Sequence, residues 1–322
     1  MLKKILVVVL ILFSVLLLLI SSVVLFSRYN KLSQLTKDYI DEKNPVWSPN
    51  GKLICYVSSD STGSNIRLIE SNGEGSNSLT SDTYLDDFPS WSPDGSKIAL
   101  QSNRSGNFDI WLLSIKDKKL TQLTFDSGLD LTPSWSPTGD YISFVSTRGG
   151  KKDIWILPPD GGKAIQITDD SNQESFPSWS PDGNKIAFSY LKDGNWDNWI
   201  ISSYGGVATQ LTDNLGVDDV PVWSPDNKKI AYRSIRHGNS DIWIIDLNNG
   251  DKKKVTDDKY FDWYPTWSPD GKAIAFQSNR SGNEDIWLVQ PFSIFYLMSS
   301  KLKKIINFSK WVLNKGIEKI LN

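Results

Sequence analysis

The chain has 322 residues, a formal net charge of −2, one cysteine and one histidine. A single cysteine excludes a disulfide scaffold and a multi-cysteine metal site, and a single histidine leaves little for histidine-based catalysis. The last 22 residues hold six lysines against Glu318, a net of +5, so residues 1–300 carry −7, and an acidic body argues against nucleic acid as its ligand.

From the amino end, residues 5–26 form an uncharged run interrupted only by Ser14, Ser21 and Ser22, long enough to span the hydrocarbon core of a bilayer. Lys3 and Lys4 before it predict a cytoplasmic amino end and an extracytoplasmic remainder, with Arg28 and Lys31 weakening that bias. The run exceeds the roughly 7–15 apolar residues of a cleaved signal peptide, and no Ala-x-Ala site comes after it. Residues 1–30 therefore read as a retained signal anchor, a single transmembrane helix that holds the rest of the chain near the bilayer.

Residues 31–290 repeat. Trp47, Trp91, Trp135, Trp179, Trp223 and Trp267 stand 44 residues apart, the second within Pro89-Ser90-Trp91-Ser92-Pro93-Asp94-Gly95. After that turn signal, Lys97–Ser102 alternates with strand period, Ser105-Gly106-Asn107 turns the chain, Asp109–Leu113 reads as a third strand and Leu120–Thr124 as a fourth. One repeat is a four-stranded meander, and six such repeats predict an all-β, six-bladed β-propeller. Ile54, Ile98, Ile142, Ile186, Ile230 and Ile274 share one core slot, and Tyr56, Leu100, Phe144, Phe188, Tyr232 and Phe276 another. Cys55 occupies the slot of Ala99, Ser143, Ala187, Ala231 and Ala275 and reads as a small buried residue.

Trp-Ser-Pro-Asp-Gly, Ile-Ala-Phe, Ser-Asn-Arg-Ser-Gly-Asn, Asp-Ile-Trp and Leu-Thr, in that order, resemble the repeats of TolB-like six-bladed propellers over residues 31–290. The resemblance implies the propeller fold and a habit of binding protein partners. Such propellers are also similar to the gating domains of prolyl-oligopeptidase-type peptidases, whose catalysis sits in an attached α/β-hydrolase domain. One fold hosts many activities, so the site has to be argued from its residues.

The Leu-Thr marker of the fourth strand already appears at Leu35-Thr36, before the first repeat tryptophan, and is missing at residue 300. Residues 31–36 are thus expected to complete the sixth blade and close the ring, with residues 292–298 as the alternative strand.

Two charged sets recur. In the hairpins, Arg104 with Asp109, Arg148 with Asp153, Arg236 with Asp241, Arg280 with Asp285, and Lys192 with Asp197 suggest ion pairs; the first blade has Asp60 and Asn65 there. Glu42, Asp86, Asp130, Glu174, Asp218 and Asp262 stand three residues before the leading proline of each blade, which places them on one face around the axial mouth. Gathered like charges call for a cation or a basic peptide, so these six are the candidate partner-binding residues; the other reading has each accept local hydrogen bonds or pair with the hairpin arginine. Tyr84, Phe125, Tyr260, Phe261 and Trp263 set aromatics beside them.

His237 falls in a hairpin turn, and no Gly-x-Ser-x-Gly elbow, His-Glu-x-x-His pair or phosphate-cradling loop occurs. The expectation is a binding protein with no catalytic residue, cofactor or metal, directed at a protein or peptide partner. A scaffold and a glycan-binding or glycan-cleaving propeller using carboxylates are the alternatives. In residues 291–322, Leu302, Ile305, Ile306, Val312, Leu313, Ile317 and Ile320 follow a helical stripe flanked by lysines, predicting a basic amphipathic helix on the membrane surface or on the propeller.

Overall fold

Strand-period alternation at 44-residue intervals does produce blades. The computed structural model describes residues 32–291, in which 24 strands form six four-stranded antiparallel meanders. Blade 2 is representative: Asp86–Trp91 is innermost, followed outward by Lys97–Ser102, Asp109–Ser114 and Leu120–Gln122. Among the described residues no helix is long and apolar enough to cross a membrane. The expected anchor at residues 1–30 and the amphipathic tail lie outside the described residues, Pro291 apart.

The period-two pattern explains how blades pack. Ile98 and Leu100 point to blade 1, where they join Cys55, Val57, Ile66 and Leu68, while Ala99 points to blade 3 and meets Trp135, Ile142 and Phe144. The small slot makes room for the next blade's tryptophan, which is why Cys55 sits fully buried against Trp91. Burial raises the Cys55 thiol well above its usual range, consistent with a packing role. Each large apolar side chain so enclosed contributes about 1.5–3 kcal/mol.

On one face, the turns between first and second strands are tied by serine. Ser92 Oγ accepts the Lys97 N–H at 2.9 Å and donates to Asp94 at 2.6 Å, and Gly95 takes a φ of 71°. Hydrogen bonds from Ser92 and Ser96 hold the Asp94 carboxyl down at about 2.

The ring closes through the chain's beginning. Ser33–Gln34 is the fourth strand of the sheet that holds Asp262–Trp267, Ile274–Ser278 and Asp285–Val289, with Ser33 opposite Leu288 and Gln34 opposite Trp287. Leu35 N–H donates to Ile286 O at 2.8 Å. Thr36 Oγ1 accepts the Ile286 N–H at 2.9 Å and donates to Asp285 at 3.1 Å, both buried. Ser33–Gln34, within the expected 31–36, supply that strand; the alternative at 292–298 lies outside the described residues.

Thr36→Val keeps the shape and removes this clasp, leaving buried groups unanswered; the expected loss is about 1–3 kcal/mol, read as a lowered midpoint in thermal or urea unfolding.

Candidate recognition face around the propeller axis

The six repeated carboxylates do start the innermost strands on one face, yet every one of them is fully buried, with 0 % exposure. In blades 2, 3 and 6 an arginine of the same blade meets the charge. In blade 2, Arg104 Nη2 donates to both oxygens of Asp86 at 2.7 and 2.8 Å, Nε donates to Ser102 Oγ at 3.0 Å, and Nη1 reaches Asp82 at 3.1 Å. The guanidinium lies over the rings of Tyr84 and Trp111. Blade 6 repeats the arrangement with Arg280, Asp262, Ser278 and Asp258, and in blade 3 Arg148 Nη2 reaches Asp130 at 2.8 Å. The arginine therefore clamps the loop that enters each of these blades.

That geometry corrects the expected hairpin pairs. Asp109 is answered by Ser105 Oγ at 2.5 Å, Gln122 Nε2 at 3.1 Å and Thr124 Oγ1 at 3.3 Å, not by Arg104. Asp285 is likewise held by Gln34 and Thr36, Asp153 by Lys151 and Gln166, and Asp197 by Asn195, Gln210 and Thr212. In blade 5 Lys254 takes the glutamine's place, 3.0 Å from Asp241. The missed signal is Gln-x-Thr in the fourth strand, at Gln34, Gln122, Gln166 and Gln210.

Blades 1 and 4 face each other across the ring and lack the arginine, having Asp60 and Lys192 there. These are the two blades whose carboxylate is a glutamate. Glu174 accepts from Thr168 at 2.9 Å and meets Asp153 of the preceding blade; Glu42 is enclosed beside Thr36 and Asp285. Burial pushes Glu42 up to about 7, against the Thr36 hydroxyl and with Asp38 and Asp285 adding, and pushes Glu174 up to about 8, with Asp170 and Asp153 adding. A carboxyl buried beside a carboxyl is stable when it keeps its proton. Burial also raises Asp218 to about 6, because Arg236 bonds Ser234 and lies over Trp243 without closing on it as Arg104 does on Asp86.

Closer to the axis, each innermost strand carries a bulge whose residue has positive φ: Asn44, Phe88, Thr132, Phe176, Val220 and Tyr264, between 48° and 53°. Each precedes a proline, and bulges re-aim side chains. The even blades supply Phe88, Phe176 and Tyr264, whose ring centroids stand 5.6–6.0 Å apart. In the odd blades the bulge N–H is taken by the preceding blade: Thr132 by Gln101 at 2.9 Å, Val220 by Ser189 at 3.0 Å, Asn44 by Gln277 at 3.4 Å. The bulges and the residues next to them line an axial cavity of about 170 Å³.

Tyr264 has charged neighbours. Burial raises its phenol to about 12, with Arg233, Asp219, Asp87 and Glu284 acting on it. Arg233 is committed to Asp219, its Nε donating at 2.6 Å, and Lys43 lies 3.5 Å from Glu284. Asp87 accepts Asn44 Nδ2 at 2.6 Å and the Phe88 N–H at 2.8 Å, and burial raises its carboxyl.

The loops above the buried carboxylates expose large apolar side chains: Tyr39, Tyr84 and Leu85, Phe125 and Leu129, Leu215, and Phe261. Phe125 is 75 % exposed and Leu215 fully so. Phe261 stacks on Trp263 at 5.8 Å. Of the expected aromatics, Tyr84 and Tyr260 lie against Arg104 and Arg280, which bond the carboxylates; Tyr39, Leu85, Leu129 and Leu215 vary in slot from loop to loop, so no repeat marks them. Among the described residues, no group of three or more His, Cys, Asp or Glu side chains is placed to hold a metal ion.

Arg104→Met leaves Asp86 buried without its partner and should cost about 3–5 kcal/mol of stability, measured by urea unfolding. The raised carboxyls of Glu42 and Glu174 set a pH dependence. Their folded-state values lie above the ordinary value of 4.5, so their contribution is complete below that pH and is lost as pH rises through about 7 and 8. Unfolding midpoints should fall across that window, and Glu42→Gln with Glu174→Gln should flatten the fall.

No curated protein matches this chain. Solved structures do. The putative TolB from Agrobacterium tumefaciens is 24 % identical with a TM-score of 0.58, over 67 % of this chain and 87 % of that one. TolB from Acinetobacter baumannii is 20 % identical with a TM-score of 0.59, over 80 % and 65 %. The oligogalacturonate lyase of Vibrio parahaemolyticus is 13 % identical with a TM-score of 0.59, over 80 % and 93 %. These likenesses show the shared fold. The family model of the TolB β-propeller domain matches residues 32–175 and 166–258, and the chain belongs to that family.

Proposed function

We propose that this protein is a recognition propeller that binds a protein or peptide partner on the loop face around its axis. The observation that carries the reading is the set of apolar tips: five of the six loops entering the innermost strands expose at least one large apolar side chain around a single mouth. Isolated exposed apolar residues are ordinary, whereas a ring of them rimmed by polar groups is the composition of an interaction surface. Glu42, Asp86, Asp130, Glu174, Asp218 and Asp262 serve it from below, holding the loops in place.

Ser33 and Leu288 lie opposite one another at the far end of the closing strands, beside the serine-tied turns. A membrane anchor in residues 1–30, as the sequence leads one to expect, would make this an extracytoplasmic, membrane-held propeller. Relatives by fold include enzymes by name, an oligogalacturonate lyase and the gluconolactonase of Xanthomonas campestris. Their elimination and ester-opening chemistries are not carboxylate-pair glycoside hydrolysis, the alternative for this chain, which needs two carboxyls at the sugar, roughly 5–10 Å apart. The six repeated carboxylates are enclosed, so binding is the better-supported reading.

Crosslinking capture from native membranes tests it. The intact chain should retain a partner that Phe125→Ser with Leu215→Ser loses, while Tyr204→Ser with Val207→Ser, exposed on the connection between the third and fourth strands of blade 4, should retain it. Equal capture by all three would end the loop-face reading.

A further inference from the structure

Building on the loop-face reading, we infer that the partner presents a basic segment: a lysine or arginine side chain that enters the mouth beside Asp87, flanked by bulky apolar residues that rest on the loop tips. The charge of the loops favours such a segment. The six loop segments 37–41, 81–85, 125–129, 169–173, 213–217 and 257–261 contain nine aspartates and two lysines. Arg67 and Lys252 each meet one of them, Asp38 and Asp213, and three further cations are shared. Arg104 answers both Asp82 and Asp86, Arg280 both Asp258 and Asp262, and Lys254 both Asp241 and Asp257. Each group keeps a negative surplus toward the mouth, a field that draws cationic segments and speeds their encounter.

The base of the mouth adds acceptors. Both hydrogen bonds that Asp87 accepts reach Oδ1, so Oδ2 is left for an incoming donor. Asn44, 7 % exposed, points its amide nitrogen at the same Oδ1, and its own Oδ1 is buried without a hydrogen-bond partner. An ammonium or guanidinium supplies several donors at once and suits this pair of acceptors. The resident cations do not take the place: Arg233 is bound to Asp219 through two nitrogens and Lys43 faces Glu284. Tyr264 and the stacked Phe261 and Trp263 offer ring faces to the side-chain stem and its charge. A neutral or acidic segment would leave these acceptors unanswered.

The experiment is selection of a randomised library of acetylated, amidated dodecapeptides on the full-length chain in detergent. Enrichment of peptides pairing one or two Lys or Arg with aromatic or large aliphatic residues is expected. Replacing the basic residue of a selected peptide by norleucine should weaken binding roughly tenfold, the size of one charge-assisted hydrogen bond. Asp87→Asn, which preserves shape, should weaken the basic peptide by a similar factor and leave its norleucine version unchanged. Enrichment of neutral or acidic peptides that Phe125→Ser with Leu215→Ser abolishes would overturn the basic anchor and leave the loop face standing. Enrichment of nothing, or of peptides indifferent to the loop substitutions, would overturn both.

Discussion

A carboxylate buried at the start of each innermost strand has to be answered, and much of the loop face is arranged around the answers. Removing an ionised carboxyl from water costs several kcal/mol unless it is paired and hydrogen-bonded. Three blades, the second, third and sixth, bring an arginine back from the next hairpin to bond the carboxylate, and in the second and sixth its remaining nitrogens reach a serine and a loop aspartate; in the fifth, Arg236 bonds Ser234 instead. Two blades have no arginine, and there a longer carboxyl reaches toward the preceding blade, where burial raises its proton affinity. Burial raises Asp218 in the fifth blade as well, which makes the loops of blades 1, 4 and 5 the ones that respond to pH near neutrality.

The ring is sixfold in backbone and closer to threefold at its axis. Even blades place Phe88, Phe176 and Tyr264 at the bulge, and their tryptophans donate to a carbonyl of the preceding blade, as Trp91 does to Val46 at 3.3 Å. Odd blades place Asn44, Thr132 and Val220 there, small enough for three large rings to meet between them. Six aromatics would not fit around one axis, and six small residues would leave it open. Positive φ at a β-branched residue costs about 1–3 kcal/mol. Val220 and Thr132 accept it, and the hydrogen bonds that their N–H groups make to the preceding blade help to hold it.

Blade number, strand order and ring closure are legible in the sequence because each depends on period alone: Trp47 to Trp267 count the blades, Ile98 and Ala99 assign faces by alternation, and the early Leu35-Thr36 announces the closing strand. The hairpin pairing is misread because Arg104 and Asp109 are near in sequence, while the register that sets Asp86 opposite Ser102 brings Arg104 across to a different strand. The burial of the six carboxylates is hidden for a related reason. A position's distance from the axis can be read from the chain, but whether its side chain turns inward depends on a partner 18 residues away. The aromatic triad escapes a search at 44 residues and shows only at 88.

The two faces divide the work. At one end, the serine-tied turns repeat closely from blade to blade, and Ser33 meets Leu288 beside them; that end is set by what every blade needs. At the other, an arginine-carboxylate clamp in blades 2, 3 and 6 supports loops whose tips change, from Tyr84 and Leu85 to Phe125 and Leu129 to Phe261. Where the clamp is present, the base of the loop is fixed by buried, charge-assisted hydrogen bonds, so its exposed tip can change without disturbing the blade. On the proposed recognition reading, a rigid underside with a variable, apolar and acidic upper surface presents a specific surface, and the differences among its six loops set which partner fits.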